Sequence, residues 1–173
     1  DFLLAQAHAT LPGDTRTVIA VGKLTNVALA LAVDPTIAAR IRVVWLGSNW
    51  PFNANEYNEA NDRAAVNFVL DTPVSLDIAT VRYLGRPPGQ NRGTADVITS
   101  VSEIRSVMPG LGPSVSPIAG RHGGTFSHFG DYSVDLFHHI GENVRALFDV
   151  AAVALVKHPS WARTQTVPAP RIE

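Results

Sequence analysis

Two short apolar runs, rich in β-branched residues, constrain the fold of this chain more than any other feature of its sequence. They span Thr17 to Val21 and Ile41 to Leu46. Continuous apolar runs of this length are typical of buried parallel strands. Between them, apolar residues recur at helical spacing over residues 24–31. The pattern predicts a βαβ unit, in which the two strands are adjacent and parallel and the crossover is right-handed.

The alternation of apolar runs and helical patterns continues along the chain. A helix should begin near Asn61 or Asp62, and Val74 to Ala79 is a candidate for a third strand. The sequence shows no internal repeat and no clear interdomain linker. We therefore predict an α/β fold with an open, mainly parallel sheet and helices on both faces, built as a single domain over residues 1–173.

The second half of the chain has weaker periodicity, so its elements are predicted one by one. Helix caps are assigned to aspartates, which are preferred at that position. We expect an amphipathic helix from Val97 to Met108, an irregular glycine- and proline-rich segment over residues 109–124, a helix from Asp131 to Ile140 capped by Asp131, a buried helix from Val150 to Val156 capped by Asp149, and an extended edge strand from Thr164 to Ile172.

Composition and charge argue against several classes of function. The net charge of −1 does not suit a surface for nucleic acid or for anionic membranes. The chain contains no cysteine, so disulfides and thiolate metal sites are excluded. No apolar run approaches the roughly 20 residues that a membrane helix needs. None of these features decides the cellular compartment.

A stretch rich in asparagine, residues 49–65, follows the second predicted strand. It reads NWPFNANEYNEANDRAA and comes just after Gly47, which ends the apolar run. In open parallel sheets, ligands bind at the carboxyl ends of the strands. Carboxamide and carboxylate side chains at that edge are suited to binding hydroxyl groups. The sequence therefore predicts a site for a hydroxylated ligand there.

Three segments resemble, in the right order, motifs of the nucleoside hydrolase family. Residues 21–31, VGKLTNVALAL, resemble the family segment GPLTNxAxA. Residues 45–65 contain WLGSN, EYN, ND and AA, which resemble the family's strand with its glycine-rich turn, its EFN motif and its following DPEAA. Residues 147–155, LFDVAAVAL, resemble the late HD motif that opens a buried helix. The order and spacing match from Thr17 to Pro159.

The resemblance implies a reaction, a substrate and a cofactor. Members of the family cleave the N-glycosidic bond of ribonucleosides, so the expected partner is a small-molecule nucleoside. A bound calcium ion holds the ribose hydroxyls and the attacking water, and an aspartate takes the proton of that water. By this resemblance Asp149 is expected to be a calcium ligand, and Val21 to offer its backbone carbonyl to the same ion.

The resemblance also implies the residues that bind the sugar. Glu56 and Asn58 are expected to bind ribose hydroxyls, and one further asparagine, Asn49 or Asn53, is expected to make an additional ribose contact. The loop is shorter than in the family, and the choice between these two asparagines stays open. Without the resemblance, Glu56 would be interpreted as a solvated turn residue and Asp149 as a helix N-cap.

Two departures from the family's motifs bear on activity. The aspartate cluster DxDPGxDD, which supplies the catalytic base and most calcium ligands, is absent from this chain. The base is therefore expected upstream of Asp1, no catalytic residue is assigned within the chain, and the fold is expected to be incomplete at its N-terminus. The chain alone should be inactive without that segment. The histidine before the late aspartate is replaced by Phe148, and His122 or His128 could substitute for it.

Two other functions stay open beside that of a hydrolase. One is a non-catalytic, riboside-binding or pseudoenzyme module of the same fold, which keeps the ribose pocket without turnover. The other is a purely structural segment, whose asparagine-rich loop only satisfies backbone groups. The sequence does not decide the nucleobase or the oligomeric state, for which a homo-oligomer is one option.

Overall fold

The chain divides into two compact units, each described by itself. The computed structural model describes residues 2–52 and 55–172. One unit comprises residues 1–96 and 148–173, and the other comprises residues 97–147. The single domain expected over residues 1–173 stays a prediction.

The first unit alternates helices and parallel strands. In chain order its elements up to residue 96 are α1 (Phe2–His8), β1 (Arg16–Ala20), α2 (Thr25–Val33), a 3₁₀ helix (Pro35–Ala39), β2 (Ile41–Gly47), α3 (Tyr57–Asn61), α4 (Arg63–Leu70), β3 (Ser75–Thr80) and a second 3₁₀ helix (Gly93–Asp96). The strands have the order β1-β2-β3, and both pairs are parallel. The predicted βαβ unit is confirmed, because Val18 of β1 lies beside Val43 of β2.

The central strand β2 separates two apolar clusters. Trp45 is fully buried and belongs to a cluster with residues of α2 and α4, whereas its neighbour Leu46 packs with Ala79, Val81 and Ala152. Successive side chains of a strand point to opposite faces of the sheet. Helices therefore cover both faces, and the predicted α/β fold is confirmed.

The second unit pairs its strands in antiparallel fashion. Its elements are β4 (Ile98–Ser100), α5 (Val101–Val107), β5 (Ser114–Ala119), β6 (Thr125–His128), α6 (Phe129–His138) and β7 (Val144–Ala146). Strand β4 pairs with β7, and β5 pairs with β6. The prediction of irregular structure over residues 109–124 is therefore wrong for β5. The helix predicted from Val97 starts later, at Val101.

The cap predicted for the next helix is also corrected. Helix α6 begins at Phe129, and its N-cap is His128, which makes no side-chain cap bond. Asp131 lies inside the first turn, where its carboxylate accepts a hydrogen bond from the backbone amide of Gly110 at 2.9 Å. Asp131 therefore binds the segment that precedes the β5–β6 hairpin instead of capping a helix.

The chain returns to the first unit with α7 (Phe148–Lys157), which packs on β2 and β3. Asp149 thus lies in the first turn and is not the N-cap. The prediction of a helix buried all round is wrong, because Val150 and Val153 are exposed while Ala151 and Ala152 are buried. A short 3₁₀ helix (Pro159–Trp161) follows. Among the helices of the described residues, none is long and apolar enough to span a membrane.

The end of the chain is held by one side chain instead of by strand pairing. No strand is formed over residues 164–172, so the predicted edge strand is wrong. The carboxamide of Asn67 on α4 donates to the carbonyl of Ile172 at 2.9 Å and accepts from its amide at 2.9 Å. This carboxamide offers one donor and one acceptor to the chain, as a neighbouring strand would.

Candidate functional site

The carboxyl ends of β1, β2 and β3 lie at one edge of the sheet because the strands are parallel. One hydrogen bond joins β2 to the turn after β1, and another joins the turns after β2 and β3. The indole Nε1 of Trp45 donates to the carbonyl of Gly22 at 2.9 Å, and the amide of Val81 donates to the carbonyl of Ser48 at 2.9 Å. The three turns therefore form one connected surface at the edge where ligands bind in such sheets.

Two of these turns place a non-glycine residue in the left-handed region. Ser48, with φ of 61°, follows β2, and Arg82, with φ of 52°, follows β3 closely. They are the two non-glycine residues with positive φ in the described part of the chain. Such backbone conformations cost about 1–3 kcal/mol each and cluster at ligand-binding and catalytic sites. Their position at one edge supports this surface as the functional one.

Glu56 is buried at the start of α3 and holds the turn after β2. Its side chain is the N-cap of α3, with one carboxylate oxygen accepting from the amide of Asn58 at 3.0 Å and the other from that of Glu59 at 2.9 Å. The second oxygen also accepts from the amide of Ser48 at 3.2 Å. An ionised carboxylate offers about four lone-pair positions, so three are occupied and one is left for a ligand.

Asn58 connects the first and second turns. Its Nδ2 donates to the carbonyl of Leu46 at 3.0 Å and reaches the carbonyl of Val21 at 3.5 Å. Its Oδ1 accepts no hydrogen bond from the described residues. Asn58 and Val21, which the sequence predicted as sugar and calcium ligands, are thus brought together, and one acceptor of Asn58 stays available.

Among the predicted sugar ligands that the structure describes, Asn49 is the most enclosed. Asn49 is 2% exposed. Its Nδ2 donates to the carbonyl of Asn55 at 3.0 Å, and its Oδ1 accepts from the amide of Tyr83 at 2.8 Å. The side chain braces the loop after β2 against the segment after β3. Asn53, the alternative candidate, lies outside the described residues.

A pair that the sequence did not single out joins the two helices beside the site. The Thr25 hydroxyl, at the start of α2, donates to the carboxylate of Asp62, which is the N-cap of α4 and also accepts from the amide of Ala65 at 3.0 Å. The bond from Thr25, followed by that from Ala65, holds the pKa of the Asp62 carboxyl below its usual value. The preference of aspartate for helix starts was the available signal, but nothing local showed Thr25 as its partner.

Asp149 lies at the start of α7, next to the half-buried Phe148. That phenyl ring packs in the cluster of Leu46, Ala79 and Val81, at the carboxyl ends of β2 and β3. Partial burial raises the pKa of the Asp149 carboxyl above its usual value. In the described residues no hydrogen bond or ion pair joins this carboxyl to another group. Its expected convergence with Glu56 stays a prediction.

The residues expected to bind calcium have suitable oxygen atoms but are too few. Calcium takes about 6–8 oxygen ligands, and the Asp149 carboxylate and Val21 carbonyl are of the right chemical type. The Val21 carbonyl faces the Asn58 amide at 3.5 Å. Within residues 2–52 and 55–172, no group of three or more metal-binding side chains is positioned to hold an ion. These residues alone do not form a calcium site.

The two histidines proposed to replace the one missing at Phe148 have partners inside residues 97–147. The ring of His122 stacks on that of His139, with centroids 4.2 Å apart. His128 Nδ1 lies 3.6 Å from a carboxylate oxygen of Asp131. Their role in place of that histidine stays a prediction.

Comparison with known proteins assigns this chain to a protein family. The sequence profile described as inosine-uridine preferring nucleoside hydrolase matches residues 1–170. The chain belongs to this family. Its family and fold are those of nucleoside hydrolases, which are enzymes. No curated protein matches the chain.

Two solved structures share the nucleoside hydrolase fold with this chain. The inosine-uridine preferring nucleoside hydrolase from Bacillus anthracis superposes with a TM-score of 0.66 and 20% identity, covering 98% of this chain and 54% of that one. An inosine-guanosine nucleoside hydrolase superposes with a TM-score of 0.66 and 15% identity, covering 92% and 47%. This chain thus spans about half the length of the solved structures it matches.

Proposed function

We propose that this chain forms the sugar-binding part of a hydrolase that cleaves the N-glycosidic bond of ribonucleosides into ribose and free base. One observation carries the proposal. The Asn58 side chain lies between the carbonyls of Leu46 and Val21, so the segment after β1 meets the asparagine-rich loop after β2. Both segments match the family whose members act on nucleosides.

Two side chains at this edge, Asn58 and Glu56, keep a free hydrogen-bond acceptor, which fits a ligand with hydroxyl groups. Asn58 offers its Oδ1, and Glu56 offers the lone-pair position that its three backbone donors leave. Cleavage of the glycosidic bond develops positive charge on the ribose ring. Carboxylate and amide oxygens fixed beside the ring before reaction stabilise that charge without reorganisation.

We assign the calcium ion to the whole protein and not to this chain alone. Asp149 and the Val21 carbonyl would supply two oxygen ligands, and the remaining ligands and the catalytic base would come from residues outside this chain. The number of ligands that calcium takes supports this assignment. Such an ion would orient the sugar diol and would lower the pKa of a water bound to it. Phe148 cannot donate a proton to a departing base.

The sugar site can be tested by binding, separately from turnover. We expect Asn58→Ala to weaken the binding of uridine and inosine by about 5–10-fold, the effect of one or two hydrogen bonds. Isothermal titration calorimetry measures the affinities, and circular dichroism checks that the variant is folded. Asn143→Ala is the matched control, because Asn143 is exposed and its side chain makes no hydrogen bond with the described residues.

Two results would change the assignment. Unchanged affinity in Asn58→Ala would remove this side chain from the sugar site. Tight riboside binding by the longer protein, without release of ribose in a reducing-sugar assay, would favour the alternative of a non-catalytic riboside-binding module.

A further inference from the structure

Three histidine rings meet where the tip of the β5–β6 hairpin lies against the end of α6. The hairpin tip comprises residues 120–124, between the two strands, and carries His122. The ring of His122 stacks on that of His139, the C-cap of α6, with centroids 4.2 Å apart and planes inclined by 13°. The ring of His138 meets that of His139 edge to face at 5.1 Å. We call these three residues, all within residues 97–147, the histidine cluster.

Hydrogen bonds of the histidine cluster define where two of its protons lie. The guanidinium of Arg105, on α5, has only donors, so the Nδ1 of His138 accepts from it at 2.5 Å and carries no proton. A carbonyl oxygen only accepts, so the Nδ1 of His139 donates to the carbonyl of Asp135 at 2.8 Å. These contacts suit neutral rings, with the proton of His138 on Nε2 and that of His139 on Nδ1.

The cluster accommodates one additional proton, on His139. One carboxylate oxygen of Asp135 lies 3.5 Å from its Nδ1, and the other is buried and accepts no hydrogen bond from the described residues. His139 also lies at the carboxyl end of α6, where the helix dipole favours a positive charge. A charged His139 ring can stay stacked on a neutral His122 ring, because the π face of an uncharged aromatic ring attracts a cation.

A second additional proton breaks a contact wherever it binds. On His122 it would place two positive rings face to face at 4.2 Å. On the Nδ1 of His138 it would direct an N–H group at the guanidinium of Arg105. Like charges this close repel each other, although water weakens the repulsion at exposed positions.

The other charged groups of the second unit do not neutralise a second proton on the stack. Arg121, next to His122 in the hairpin tip, adds a positive charge. In the described contacts, Asp135 is the carboxylate that reaches the cluster, and it already faces His139. The other acidic residues of the unit have partners of their own: Glu103 accepts from the Thr99 hydroxyl at 2.7 Å, Asp131 faces His128 at 3.6 Å, and Glu142 faces Arg145 at 3.8 Å.

The hairpin tip has a backbone and an attachment that permit movement. Residues 121–124 are exposed, and the turn contains Gly123 and Gly124 with φ of 96° and 76°, in the left-handed region that glycine adopts without strain. Closer to the base of the hairpin, the ring of Phe126 stacks on that of Tyr132 at 5.3 Å, a contact without a histidine. The tip can therefore leave α6 while the base of the hairpin stays attached.

We propose that the hairpin tip is a pH-sensitive element, which lies against α6 while His122 is neutral and leaves it when both rings of the stack are charged. Imidazole is the side chain that ordinarily changes its charge between about pH 5 and pH 8. The contact is therefore present at the alkaline end of that range and is lost as the pH falls through it. Acidification alone thus repositions a loop of the second unit, without any ligand.

Spin labelling can follow the tip directly, because the chain contains no cysteine. A nitroxide attached to Arg121→Cys reports the motion of the tip by electron paramagnetic resonance of the whole chain. We expect the ratio of mobile to immobile label to rise about two- to fivefold from pH 8 to pH 5.5, the size expected for repulsion between exposed charges. The substitution removes a positive charge beside His122, so it opposes release and cannot produce it. Circular dichroism at both pH values checks that the helices are retained.

In the same labelled chain, His122→Phe keeps a flat ring for the stack but cannot take up a proton, so the tip should stay immobile at both pH values. His158→Phe is the matched control, since His158 also stacks on an aromatic ring, that of Trp161 at 4.3 Å, but in the first unit. It should reproduce the pH response of the labelled parent chain. A response that persists in His122→Phe overturns the proposal, and so does a tip whose mobility is the same at both pH values. Loss of helix together with tip release shows acid unfolding and also overturns it.

Discussion

Gly47 ends β2 against the indole ring of Trp45, and this contact leaves no room for a side chain. A Cβ atom at Gly47 would lie 2.1 Å from the nearest ring carbon. The ring cannot move aside easily, because Trp45 is fully buried and its Nε1 is bonded to the carbonyl of Gly22. The glycine therefore fixes how closely the strand end and the turn after β1 approach each other.

Gly47→Ala should lower the free energy of unfolding by about 1–3 kcal/mol, the usual cost of overpacking a dense core. Gly22→Ala is the matched control, because a Cβ atom there would meet nothing within 4 Å. We expect that variant to change stability by no more than about 0.5 kcal/mol. Urea unfolding followed by tryptophan fluorescence measures both. Equal stability of the two variants would show that the ring relaxes without cost.

At the scale of single residues, the sequence predicts which side chains to expect at the candidate site but not what they contact. Glu56 and Asn58 were identified from motif resemblance. The bond from the Ser48 amide to Glu56 could not be predicted, because it depends on a left-handed turn at a serine. The docking of Arg82 on Trp50 likewise depends on two loops that are distant in sequence.

Helices α2 and α4 are joined by the hydrogen bond between the Thr25 hydroxyl and the Asp62 carboxylate. Asp62 also caps α4 through the amide of Ala65. One side chain thus fixes the starts of two helices, and both helices follow segments that line the candidate site. Loss of this link should loosen the turn after β1 relative to α3.

The link predicts a dependence of stability on pH. The pKa of Asp62 is lower in the folded protein than its usual value of 3.8, so its carboxylate contributes stability that is fully present above about pH 4. This contribution is lost as the pH falls through the lower, folded-state pKa. Asp62→Asn keeps the acceptor oxygen but cannot titrate. The wild type should therefore be more stable than this variant near pH 7, and the difference should shrink below pH 4.

Urea unfolding from pH 7 to pH 2.5 measures that difference, with Thr25→Ser as a control that keeps the hydroxyl. Thr25→Ser should reproduce the wild-type pH profile. A difference between the wild type and Asp62→Asn that stays constant down to pH 2.5 would contradict the assignment.

At the scale of elements, the sequence predicts those strands whose burial requires a recognisable pattern of apolar residues. The runs that became β1 and β2 are mainly apolar, and β2 is almost wholly buried, whereas β3 alternates polar with apolar residues. Strand β5 is not predicted from the sequence. All of its residues are exposed, so its sequence lacks the regular apolar and polar alternation of a half-buried strand. Residues 150–156 of α7 are all apolar, which predicts a helix buried all round, but Val150 and Val153 are exposed.

At the scale of the molecule, residues 2–52 and 55–172 hold no group of three or more metal-binding side chains positioned for calcium. We therefore expect the chain alone to bind calcium no better than about millimolar, the weak end of calcium sites, and to release no ribose above background. Asp149→Asn should remove the residual binding, whereas Asp14→Asn, at an exposed position in the turn before β1, should not. Calorimetry with calcium and a reducing-sugar assay on inosine and uridine measure these properties. Micromolar affinity or clear turnover would place the catalytic set inside this chain.

The second unit begins and ends at hydrogen-bonded neighbours, since the amide of Leu147 donates to the carbonyl of Val97 at 2.7 Å. Residues 97–147 can therefore lengthen or shorten between these two points without changing the spacing of their ends. During synthesis on the ribosome, this arrangement delays the packing of α7 on the sheet. Phe148 and Ala152 are synthesised only after the whole second unit. Until then, the apolar side chains of Leu46, Ala79 and Val81 lack the helix that packs on them. During that interval, one face of the nascent sheet is the surface that a chaperone would protect.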